Sequence, residues 1–110
     1  MIRSVCVGAA LCLPNIAFAD LKAQNMRYSC ERSVEVPVVY VTSGDASVAV
    51  LMVEGRQILL YSEPAASGAR YGWPSDGSNY VWATQDNTAS LFWKDETGAE
   101  TPILAACKLQ

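Results

Sequence analysis

The chain has 110 residues, of which 51% are apolar and 17% charged, with four cysteines and no histidine. That length holds one domain, and the missing histidine removes the usual general base and the commonest metal ligand. A formal charge of −3 with no Lys/Arg cluster argues against a nucleic-acid or anionic-lipid partner and suits a basic protein. In chain order, the first feature is an apolar run over residues 4–18 behind Arg3. It is too short to span a bilayer comfortably, and it ends in Ala17-Phe18-Ala19, the small-x-small pattern of a signal-peptidase site. Residues 1–19 therefore read as a cleaved signal peptide and residues 20–110 as the mature domain, exported to the periplasm. A lipoprotein signal fits poorly, because Val5 and Leu11 precede Cys6 and Cys12 where a small residue is needed. Cleavage removes Arg3 alone among charged residues, so the net charge moves from −3 to −4. No later apolar run is long enough for a membrane helix, so no membrane insertion is expected.

Residues 20–25 read as a short, poorly ordered arm. Beyond them helical periodicity is nearly absent, and short β-rich runs alternate with turn residues. The expected strands cover residues 26–31, 35–42, 46–53, 56–63, 67–73, 77–84, 88–94 and 101–108. Glu54-Gly55 suggests a tight hairpin, since glycine tolerates positive φ, and Asp76-Gly77 marks another reversal. Residues 48–53 are so apolar that they read as buried on both faces, or packed inside and covered outside by a neighbouring segment. About eight strands without a crossover helix imply an all-β fold, a small antiparallel barrel or sandwich. Closure into a barrel is favoured because it removes exposed strand edges. Cys6 and Cys12 leave with the signal; Cys30 and Cys107 then read as one disulfide in an oxidising compartment, tying the first strand to the last.

With both mature cysteines oxidised, a thiolate nucleophile or metal site is not expected, and neither a metal nor a cofactor is implied. Asp95 and Glu96 are adjacent acids, but in a turn with Gly98 they read as a solvated loop and not as a glycosidase pair. Trp82 and Trp93 read as core, whereas Trp73, before Pro74, reads as exposed. The chain therefore reads as a binding protein and not an enzyme. One alternative is a small-ligand carrier using the barrel interior, although bulky Val, Leu, Trp and Tyr argue for a filled one.

Ser67-Gly68-Ala69-Arg70-Tyr71 is the most informative stretch: a small, flexible entry into a strand carrying a cation and a phenol. By itself it is a loop-to-strand junction with glycine for backbone freedom. Combined with the signal peptide, Tyr28-x-Cys30, the Tyr80/Trp82 strand and Cys107, it resembles the membrane-bound and periplasmic inhibitors of c-type lysozyme (the MliC/PliC family), more closely the soluble type. The resemblance runs from Tyr28 to Cys107. It implies an eight-stranded antiparallel barrel, a c-type lysozyme partner, and a Ser-Gly-x-x-Tyr loop entering the enzyme's cleft with Ser67 meeting the catalytic carboxylates. Gly68 and Tyr71 complete that motif, Ala69 lies within it, and Arg70 either bonds acidic groups of the target or braces the loop. The family's second motif, Tyr-x-x-x-Lys-Gly, matches Tyr80 to Gln85, with Thr84 in place of the lysine and Gln85 in place of the glycine. The implied lysozyme-binding set is Ser67, Gly68, Ala69, Arg70, Tyr71, Tyr80 and Thr84. A homodimer is left open.

Overall fold

A computed structural model describes residues 20–110. The proposed signal peptide lies outside them. Eight strands follow one another around a closed antiparallel barrel: β1 (Leu21–Ser29), β2 (Glu35–Ser43), β3 (Ala46–Val53), β4 (Arg56–Glu63), β5 (Ala69–Gly72), β6 (Asn79–Gln85), β7 (Thr88–Lys94) and β8 (Glu100–Leu109). Among the described residues no helix is long and apolar enough to cross a membrane.

The turns follow from their residues. Val53 pairs with Arg56 across Glu54-Gly55, whose φ values of 51° and 78° are the paired positive angles that suit the twist of a two-residue hairpin. Gln85 pairs with Thr88 across Asp86-Asn87, with Asp86 at φ 53°; Asp and Asn tolerate that region best among non-glycine residues.

Alternation along the strands fills the barrel. Val36, Val38, Ala49, Leu51, Leu60, Trp82, Leu91, Leu104 and Cys107 are all at most 2% exposed and belong to one core. Two hydrogen bonds link Tyr28, Tyr40 and Trp82 within the barrel. The Tyr28 and Tyr40 hydroxyls share one at 2.9 Å, and Trp82 Nε1 donates to Tyr40 Oη at 2.9 Å. Burial, reinforced by the Tyr28 hydroxyl, pushes the Tyr40 phenol above its ordinary range, so it stays neutral. Tyr28 meets Trp82 edge-on at 5.2 Å, and Tyr40 meets Tyr71 at 5.5 Å. Side chains occupy the interior that a carrier would need.

The barrel closes over a short seam. β1 and β8 share the pairs Tyr28↔Leu109 and Ser29↔Lys108, and the Gln110 amide donates to the Arg27 carbonyl at 3.0 Å. Three further ties reinforce it. Cys30 and Cys107 form the expected disulfide. A short 3-10 turn, Glu31–Ser33, places the Glu31 carboxylate where it accepts from the Ala105 and Ala106 amides, each at 2.9 Å. Arg32 donates to the Ile103 carbonyl at 3.3 Å. Those β8 amides lie at a register shift, since Ala89 pairs with Cys107 but Leu91 with Leu104; a bulge frees main-chain groups that need other partners.

Three expectations change. Residues 21–25 are not a loose arm; they extend β1 and pair with residues 39–43 of β2. Trp93 is not core; it is 38% exposed, near the end of β7, stacked edge-on against its cross-strand partner Tyr80 at 5.0 Å. β3 is not buried on both faces; Ala49, Leu51 and Val53 face inward, while Met52 is exposed. Trp73 is exposed as expected and stacks on Tyr61 at 5.5 Å.

Candidate functional site

The Ser-Gly motif enters β5, and the β6–β7 turn lies directly beside it. β5 begins only at Ala69, which pairs with Thr84 of β6, so Ser67 and Gly68 remain in the loop that leaves β4. Gly68 takes φ +66°, where glycine alone is unstrained, and its α-carbon presses on the turn. A Cβ there would run into the Thr84 carbonyl oxygen, with the Thr84 carbonyl carbon at 3.2 Å and Gln85 Cα at 3.3 Å. Ser67 Oγ donates to Gln85 Oε1 at 3.3 Å. Thr88 Oγ1 in turn donates to the Gln85 carbonyl at 2.9 Å, which holds the turn. Ser67, Thr84, Gln85, Thr88 and Ser90 line one shallow, uncharged groove. Ser67 is exposed at its edge.

The remaining residues of the implied binding set go elsewhere. Tyr71 is 9% exposed and turns into the barrel against Tyr40, where it anchors β5 from within. Tyr80 sits at the opposite end of β6 from Thr84, about 13 Å along a strand at ~3.3 Å per residue. Arg70, for which the sequence leaves two roles open, is engaged within the fold in the free protein. Its guanidinium is held by two carboxylates: Nε donates to Glu63 Oε2 at 2.6 Å, and Nη2 donates to Glu100. Hydrogen bonding to Glu100, then to Glu63, holds the guanidinium charged above its ordinary value against partial burial. Arg70 braces β5 against β4 and β8. Gly72 makes room for this cluster, since a Cβ there would meet Glu63 Oε1 at 2.6 Å.

Of the implied set, the fold thus gathers Ser67, Gly68, Ala69 and Thr84. It adds one residue, Gln85, which the sequence marks only as standing in place of the second motif's glycine. Chemically this end of the barrel offers a protruding hydroxyl, neutral acceptors and an amide. None of the described residues that line the groove is ionisable.

The chain is similar over most of its length to known proteins. The family described as membrane-bound lysozyme-inhibitor of c-type lysozyme matches residues 28–100. A protein of Cupriavidus necator named membrane-bound lysozyme inhibitor of C-type lysozyme is 34% identical over 98 residues, covering 87% of this chain and 72% of that protein. A Pseudomonas aeruginosa protein of the same name is 34% identical over 93 residues, covering 82% and 68%. Among solved structures, Pseudomonas aeruginosa MliC in complex with hen egg white lysozyme superposes with a TM-score of 0.64 at 28% identity, over 98% of this chain and 100% of that one. The adhesin complex protein of Neisseria meningitidis shares the fold alone, at 13% identity and a TM-score of 0.55 over 79% of this chain and 99% of that one. On that family match and those identities over most of its length, the chain belongs to the family of membrane-bound lysozyme inhibitors of c-type lysozyme.

Proposed function

We propose that this protein inhibits a c-type lysozyme by seating the Ser67–Gly68 loop in the enzyme's active-site cleft. The observation that carries this reading is the juxtaposition of the two motif regions, with Gly68 packed on Thr84 and Ser67 bonded to Gln85. The solved relative in complex with hen egg white lysozyme supports the choice of partner.

The chemistry is suited to the task. C-type lysozyme works with one protonated and one ionised carboxyl group on either side of the scissile bond. With its single proton directed to Gln85, the Ser67 hydroxyl keeps its lone pairs to accept from the protonated carboxyl, taking the place of a substrate oxygen without offering a glycosidic bond to break. Gly68, lacking a side chain, lets the main chain approach the cleft wall. Tyr71 and Arg70 act from behind, one in the core and one in the ion cluster. The protein itself acts as an inhibitor and not as an enzyme. It works in the periplasm after cleavage behind Ala19, which mass spectrometry of the exported protein checks directly.

The deciding experiment is inhibition of a c-type lysozyme by the purified, oxidised protein, with Ser67→Ala alongside. Removing that acceptor leaves a desolvated carboxyl proton unpaired, at about 1–3 kcal/mol, so the substitution is expected to weaken inhibition roughly five- to a hundredfold. Unchanged inhibition would remove the loop mechanism, and a parent protein that does not inhibit at saturation would remove the function.

A further inference from the structure

Little holds Ser67 besides the neighbouring turn. The β4–β5 pairing runs from Tyr61↔Gly72 to Glu63↔Arg70, which leaves residues 64–68 outside the ladder. Two contacts then fasten the Ser-Gly step, and they do different things. The Gly68 contact with the Thr84 carbonyl fixes where the main chain lies. The bond from Ser67 Oγ to Gln85 Oε1 fixes where the hydroxyl points. Gln85 is a firm base for it, being the last residue of β6, paired with Thr88 and bonded through its carbonyl to the Thr88 hydroxyl.

A serine side chain has three staggered positions about χ1. In water an exposed one samples several, and ordering it on binding costs affinity. An acceptor on one side selects one position and turns the oxygen's lone pairs away from that acceptor. We propose that Gln85 is a positioning residue for Ser67, its side-chain oxygen setting the hydroxyl in the free protein so that the target meets a hook already formed. This rests on the reading above, in which Ser67 enters the lysozyme cleft.

Two measurements on the oxidised protein test it. NMR coupling constants between the Ser67 α and β protons, recorded without lysozyme, report its χ1 directly. They are expected to show one dominant position in the parent and in Gln85→Glu, which keeps an acceptor, and averaging in Gln85→Ala. Inhibition assays then complete a cycle. Gln85→Ala is expected to weaken inhibition roughly two- to tenfold, the range of one neutral hydrogen bond, and to add nothing further in a Ser67→Ala background. Averaged couplings in the parent, couplings unmoved by Gln85→Ala, or a Gln85→Ala loss that persists without the Ser67 hydroxyl would each overturn the assignment. If the parent fails to inhibit, the functional reading falls alone, since the couplings still decide whether Gln85 orders Ser67.

Discussion

Gly68 is under two constraints at once, a left-handed φ of +66° and a carbonyl where a Cβ would go. Alanine in a left-handed position is strained on its own, and the Thr84 contact adds a clash with main chain that has nowhere to move. Gly68→Ala is therefore expected to cost about 1–3 kcal/mol of stability, read from denaturant midpoints, and to weaken inhibition more than Ser67→Ala does. Arg70 makes a separate prediction. Removing it leaves the Glu63 and Glu100 carboxylates together without their shared cation. Arg70→Met is expected to lower stability by about 1–3 kcal/mol while the folded fraction inhibits nearly as well as the parent. Lost affinity at unchanged stability would put the guanidinium on the target instead. At this scale the sequence singles out Ser67 and Gly68 only in combination with Tyr28-x-Cys30, the Tyr80/Trp82 strand and Cys107, because serine-glycine before a strand is by itself an ordinary junction. It offers bracing as one of two readings of Arg70 but does not name the carboxylate partners, which lie 7 and 30 positions away.

Elements bounded by strong turn residues are the legible ones. β3, β4 and β7 begin and end where expected, because Glu54-Gly55 and Asp86-Asn87 leave the chain one tight way to reverse. β1 was legible only from Met26 onward, because Lys22, Ala23, Gln24 and Asn25 have weak strand preference; pairing with β2 supplies what they lack. Trp93 shares the inward parity of Leu91, but parity alone does not bury a side chain near the end of a strand. The seam was half legible. Two cysteines predicted a bridge, but no pattern links Glu31 to amides 74 and 75 residues away. Replacing Cys30 and Cys107 by alanine is expected to cost about 2–5 kcal/mol, measured by chemical denaturation. Glu31 adds a pH dependence of known sign. The Ala105 and Ala106 amides hold its carboxyl below its ordinary value of 4.5, so its contribution is fully present above pH 4.5 and is lost as pH falls through the lower folded value. Glu31→Gln is expected to flatten the acid limb of the stability profile.

Over the whole molecule, charge sets the approach to a partner. Residues 20–110 carry a net −4, all seven Lys and Arg being outnumbered by eleven Asp and Glu. Attraction to a basic enzyme acts mostly before contact, so it governs the association rate more than the lifetime of the complex. Stopped-flow association with lysozyme is expected to slow as salt rises from 0.01 to about 0.15 M, where the screening length falls to about 8 Å, with dissociation changing less. The uncharged groove beside Ser67 fits that division, since the charges that steer lie elsewhere.

The seam between β1 and β8 also bears on when the protein becomes native. Every other neighbouring pair of strands is joined by a local hairpin, but this one joins residues 28 and 109, near opposite ends of the described chain. Long-range closure is the slowest kind of contact to form, and here the covalent tie needs an oxidant. A newly made chain in a reducing compartment thus reaches an open sheet more readily than a locked cylinder. On the export route proposed above, that keeps it threadable through a translocon and exposed to proteases until it arrives where thiols oxidise, so that crossing the membrane and finishing the fold become a single commitment.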